Sequence, residues 1–171
     1  MPRFLASPVP AVLHIIFAST YLVLGALQVS PAMFRWSPRW HRLAGRILAP
    51  AGVVAALTGL WMNANYPPIP QDGPILFLVR VVVGWGWVLA IVLGVAAVLR
   101  RDIRTHKAWM LRGYAIGMGA GTQVFTHLPL LADSAMHTES TRLLCMTAGW
   151  VINLAIAERI IRRPHLRAEA A

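Results

Sequence analysis

The chain has one cysteine, Cys145. A single thiol excludes an intrachain disulfide and any Cys-pair metal site. Placed inside an apolar run, it reads as a small packing residue. Acidic residues are also scarce: six Asp and Glu stand against sixteen Lys and Arg, giving a formal net charge of +10. Charge of either sign makes up only 13% of the residues, about half the share in a soluble domain. The sequence has no P-loop, no Rossmann glycine fingerprint, no G-x-S-x-G elbow and no C-x-x-C-H haem attachment. Those gaps set aside a soluble hydrolase with a nucleophile triad and a covalent cytochrome.

Apolar residues dominate instead, at 57% of the 171 positions. They fall in five runs, roughly 8–30, 44–62, 75–99, 108–131 and 140–161. Each reaches or approaches the ~20 residues a helix needs to cross the hydrocarbon layer. None has the strict alternation of barrel strands. The expectation is an all-α fold: an integral membrane helical bundle of five transmembrane helices in one domain spanning 1–171.

The basic residues follow the helices. Arg35, Arg39, Arg42 and Arg46 flank the first connection; Arg100, Arg101, Arg104, Lys107 and Arg112 flank the third; Arg159, Arg162, Arg163 and Arg167 form the C-terminal cluster. The second and fourth connections carry Asp72, Asp133 and Glu139. This alternation is the positive-inside pattern. It places the N-terminus outside and the C-terminus in the cytoplasm, as a multi-pass protein of the cell inner membrane with an uncleaved first span. The basic clusters then meet lipid headgroups rather than nucleic acid. Trp36, Trp40 and Trp109 are expected in the interfacial aromatic belt. A membrane complex or a homo-oligomer stays open as partner.

Charged and polar groups within the runs need reasons, because burying them in lipid is costly. Arg112 and Glu158 lie about one turn inside the same end of neighbouring antiparallel spans, so an ion pair between them is expected; Glu158 can also reach Arg162 at i,i+4. Arg80 either snorkels to the interface or pairs with an acid or an anionic ligand. Gly113, Gly117 and Gly121 form a small-residue ridge on the fourth run, and Gly86, Ala90 and Gly94 form another on the third. Both suit close helix packing; the first could also let a flat cofactor or ligand approach closely.

The histidines carry the chemical expectation. His14 and His127 fall at one depth on the first and fourth spans, an arrangement that can supply two neutral nitrogens to a b-type haem iron. Gln123, one turn before His127, can face a quinone carbonyl or a haem propionate. His41 and His106 form a second pair at the opposite edge, where a haem would lie at headgroup level. The same residues can equally hydrogen-bond to neighbouring helices with no cofactor.

Three long strings give a resemblance: WHRLAGRILAPAGVVAALTGLWM, THKAWMLRGYAIGMGAGTQVFTHLP and AGWVINLAIAERIIRR. They resemble the DUF2306 family of bacterial multi-pass membrane proteins over nearly the whole chain. The resemblance implies His41, Arg42, Gly45, Arg46, His106, Trp109, Met110, Arg112, Asn153 and Glu158 as hallmark positions. GAGTQ and His127 look like a variant of the family pattern. The resemblance implies membrane location and brings no established reaction.

Two functions follow as expectations. One is a small electron-transfer protein that binds b-type haem or quinone through His14, His127 and Gln123, with His41 and His106 as a weaker site. The other is a structural or accessory subunit of a membrane complex with no cofactor. A transporter is disfavoured, because the second and third spans offer almost no polar groups at mid-membrane.

Overall fold

A computed structural model describes residues 2–30, 37–132 and 137–169. Every regular element in it is a helix: α1 (Pro2–Ala6), α2 (Pro8–Val29), α3 (Pro38–Asn65), α4 (Pro74–Leu99), α5 (Ile103–Thr126), α6 (Leu128–Ala132) and α7 (Glu139–Glu169). Pro8, Pro38 and Pro74 open α2, α3 and α4. Proline suits that position because its missing N–H would lack an intrahelical partner anyway. The Ser37 hydroxyl caps α3 by accepting from the Trp40 N–H at 3.3 Å. Asp102 caps α5 by accepting from the Thr105 N–H at 3.0 Å. Trp36, Arg35 and Asp133 lie outside the described residues.

The protein is a multi-pass membrane-spanning helical bundle. Among the described residues, four helices are long and apolar enough to cross a membrane: Pro8–Val29, Pro38–Asn65, Pro74–Leu99 and Glu139–Arg163. The sequence pattern suggested five. The difference is α5, which has the length, 24 residues or about 36 Å, but not the apolarity. Its interior is built from glycine, and Arg104, Lys107, Arg112 and Gln123 lie along it. Packing explains the composition. α5 runs against α4 and α7 and also touches α2. Gly113, Ala115, Ile116, Gly117 and Gly119 are buried there. A helix enclosed by protein needs small residues for close approach more than bulky ones for lipid. The run expected to reach 131 also breaks at His127, where α5 gives way to α6.

The core sits where α2, α3, α4 and α5 converge: Tyr21, Leu48, Ala55, Ala56, Trp87, Ile91 and Ile116. Tyr21 meets Trp87 edge to face, with ring centroids 5.3 Å apart. Exposed Val9, Ile15, Ile16, Val23, Leu78, Val82, Leu89, Val151 and Ile156 cover the outside, as lipid solvent requires. Polar side chains lace α5 to α7. The Asn153 amide donates to the Thr122 hydroxyl at 2.9 Å, the Gln123 amide to the Met146 carbonyl at 2.9 Å, and the Thr126 hydroxyl to the Cys145 carbonyl at 2.8 Å. α4 and α7 meet only sparsely.

Candidate functional site

A cavity of about 630 Å³ opens at the end of the bundle opposite the basic clusters. It lies where α2, α4 and α7 begin and where α3 and α5 end. Its deep wall is apolar and smooth, with Ala55, Gly59, Gly84, Trp87, Ile116, Gly117 and Trp150; towards the mouth stand Asn63, Tyr66, Asp72, Arg80 and Arg142. The aromatic rim is fixed in place. The Tyr66 hydroxyl donates to the Ser7 carbonyl at 2.5 Å, and its ring meets Phe4 and Trp61 edge to face.

His14 reaches this cavity from α2. Its Nδ1 lies 2.8 Å from the Ala55 carbonyl of α3. A carbonyl only accepts, so Nδ1 carries the hydrogen and the neutral ring presents Nε2 as a base. Thr58 supports this tautomer, because its hydroxyl is 2.7 Å from the Val54 carbonyl and donates there. Gly59 keeps the wall open beside the ring: a Cβ there would stand 3.2 Å from the His14 Cε1. Leu60, the next residue, packs on Gly84 of α4. His14 therefore lies deeper in the bundle than Arg80.

The mouth is charged. Oδ1 of Asp72 accepts from Arg80 of α4 at 3.0 Å and from Arg142 of α7 at 2.7 Å. Asp72 lies in the loop before α4. Burial pushes its carboxyl up, but the hydrogen bonds and charges of the two arginines outweigh that and hold it below the usual carboxylate range. Arg80 thus pairs with an acid. The composition of the outer connections hid this cluster, because Arg142 lies just inside α7 and Asp72 stands 70 positions before it.

His127 does not share the cavity. It lines a second one of about 280 Å³ with Gln71, Leu130, His137, Thr138 and Arg142. Its Nδ1 lies 2.7 Å from the Gln123 carbonyl one turn back on α5. Gln123 itself lines the larger cavity, with its amide committed to Met146. At the basic end, the His106 Nδ1 donates to the Gly94 carbonyl at 2.8 Å. His41 lies within electrostatic reach of His106 and Lys107. The edge pair is thus brought near each other, whereas His14 and His127 line separate cavities. Among the described residues, no three His, Cys, Asp or Glu side chains are grouped to hold a metal ion.

Arg112 and Glu158 join α5 and α7 by two hydrogen bonds, and the Arg112 guanidinium lies 4.7 Å from the Trp109 ring centroid. Their side chains are 26% and 32% exposed, so this pair ties the basic end together without lining the cavity.

No curated protein and no solved structure matches the chain. Residues 11–161 match the model of the family described as "Predicted membrane protein (DUF2306)". That span takes in the cavity walls from His14 to Trp150 and the Arg112–Glu158 pair, and the chain belongs to the DUF2306 family.

Proposed function

We propose that the chain is a small redox membrane protein whose cavity binds the ring of a quinone or quinol, with His14 as its proton-accepting contact. One observation carries this reading: a neutral imidazole, oriented by a backbone carbonyl, lines an apolar cavity of about 630 Å³. Such sites are mostly apolar with a few placed polar groups. Trp87 and Trp150 supply flat aromatic surface. Nε2 accepts from a ring hydroxyl and so holds the proton of the quinol form.

A b-type haem fits less completely. His14 offers one neutral nitrogen to an iron, but His127, expected opposite it, lines the other cavity. The residues in the larger cavity therefore do not make the two-histidine ligand set.

In this reading α5 is the fifth span, the cavity opens to the outside of the cell inner membrane, and the basic end faces the cytoplasm. The charge distribution supports that orientation. At the cavity end Arg80 and Arg142 share Asp72, while the basic clusters collect at the other end.

The test is binding in detergent. Bound quinone is extracted and identified, and neutral 1,4-dihydroxybenzene, kept reduced under anaerobic conditions, is titrated against tryptophan fluorescence. His14→Ala is expected to weaken binding about tenfold, the worth of one hydrogen bond to a buried partner. Equal titration of wild type and His14→Ala overturns the reading. Colourless, quinone-free protein that co-purifies with a larger membrane complex favours the accessory-subunit function instead.

A further inference from the structure

The cavity has two polar poles, and the quinone reading uses only the deeper one. At the mouth, Asp72, Arg80 and Arg142 all line the wall. Both arginines bond to the same carboxylate oxygen, Oδ1 of Asp72. A guanidinium has five N–H donors, and each here spends one on Asp72. Two positive charges face one negative charge, leaving the cluster at +1. Asp72 is 10% exposed and the arginine side chains are 22% and 26% exposed, so water screens that excess charge only in part. Glu139 packs on Gly73 nearby but forms no ion pair with either arginine among the described residues. A partly desolvated positive cluster beside an apolar cavity favours a ligand that brings the missing negative charge.

The geometry points to an anion subsite: Arg80 and Arg142 receive an oxyanion on the ring ligand, at the end away from His14, and Asp72 is the built-in counter-ion that competes with that oxyanion for the two forks. The ligand class is a planar ring with one hydroxyl at the deep pole and one negatively charged oxygen at the mouth, as in a quinol that carries a ring carboxylate. The inference rests on the ring-binding reading above and adds its charge and orientation. Bidentate donation from a fork to an oxyanion is what arginine supplies and lysine does not.

The competing explanation is a purely mechanical clasp, since Asp72 bridges α4 and α7 where they otherwise barely touch. Two probes and three variants separate the two. The probes are 2,5-dihydroxybenzoate, an anion at neutral pH, and neutral 1,4-dihydroxybenzene. Wild type is expected to prefer the anion at least tenfold. R80Q and R142Q are expected to abolish that preference while changing neutral-probe affinity less than threefold. D72N cuts the same α4–α7 link as R142Q, yet it removes a competing carboxylate and is expected to tighten anion binding several-fold. A wild type that binds both probes equally, or a D72N that binds the anion more weakly, overturns the subsite and leaves the clasp. If neither probe binds to wild type, the ring-binding reading has failed and the subsite with it.

Discussion

Arg112 and Glu158 meet as a two-point pair between α5 and α7, Nε to Oε1 at 2.5 Å and Nη2 to Oε2 at 3.1 Å. A second arginine, Arg162, stands 3.8 Å from the same carboxylate on its own helix and is 76% exposed. The two contacts differ in kind. The first is charge-assisted, bidentate and partly shielded; the second is a solvated i,i+4 neighbour of small value. Arg112→Lys keeps the charge but loses the fork, and is expected to cost about 1–2 kcal/mol. Arg162→Ala is expected to cost less than about 0.5 kcal/mol. Unfolding of detergent-solubilised protein measures both, and equal losses would contradict the ranking.

Asp72 makes stability depend on acid. Its carboxyl is held below the usual range by Arg80 and Arg142 against the opposing effect of burial. A depressed folded-state pKa stabilises the fold fully above the unfolded value of about 4, and the contribution disappears as pH falls through the folded value. Melting temperature followed from pH 6 down to pH 3 should therefore fall more steeply for wild type than for Asp72→Asn. Parallel curves would show that the cluster adds nothing to folding.

The sequence made some of this arrangement readable and hid the rest for a physical reason. Depth along a helix follows from counting residues, so Arg112 and Glu158 could be matched across antiparallel neighbours. Direction around a helix does not follow from depth. His14 and His127 belong to the same end of the bundle, but they open on different cavities. The α5 ridge shows the same limit. Gly113 and Gly117 do face Tyr21 and the α4 side chains, whereas Gly121 meets only Met118 of its own helix at 3.9 Å, and the off-ridge Gly119 packs against Trp150. α5 falls short of the apolarity of a lipid-facing span because its surroundings are protein on several sides rather than lipid.

Glycine substitutions make the packing measurable. A Cβ at Gly52 would stand 2.6 Å from both Ile91 Cδ1 and Tyr21 Cε2, inside the core. Tyr21 and Ile91 are both buried, so each would have to shift against its neighbours. Gly52→Ala is expected to cost about 1–3 kcal/mol as overpacking. At Gly45 and Gly86 a Cβ meets nothing within 4 Å, so alanine there is expected to be neutral or to gain up to ~1 kcal/mol in helix propensity. Thermal unfolding of the three variants side by side tests the placement of α2 against α3 and α4; a tolerated Gly52→Ala would mean that these helices do not converge on Tyr21.

Among the described residues, Arg101 is the non-glycine residue with positive φ, at 63°, and it closes α4. The Arg101 N–H donates to the Val98 carbonyl at 3.0 Å and the Asp102 N–H to the Ala97 carbonyl at 3.0 Å. That pair of bonds is the Schellman turn, whose left-handed position normally carries glycine. A side chain with a Cβ costs roughly 1–2 kcal/mol in that conformation. Asp102 follows immediately and caps α5, so the turn sets the angle between two helices that pack along most of their length. Arg101→Gly is expected to raise stability by about 1 kcal/mol, with part of the relief offset by the freer unfolded chain. Arg101→Asn should fall between glycine and arginine, because asparagine tolerates the left-handed region. Arg101→Val should be worse than wild type, since a β-branched side chain fits that region least. Melting temperatures in the order Gly, Asn, Arg, Val support backbone strain as the governing factor. A loss of stability in both Arg101→Gly and Arg101→Asn would instead assign the turn to the arginine's charge at the basic end of the bundle.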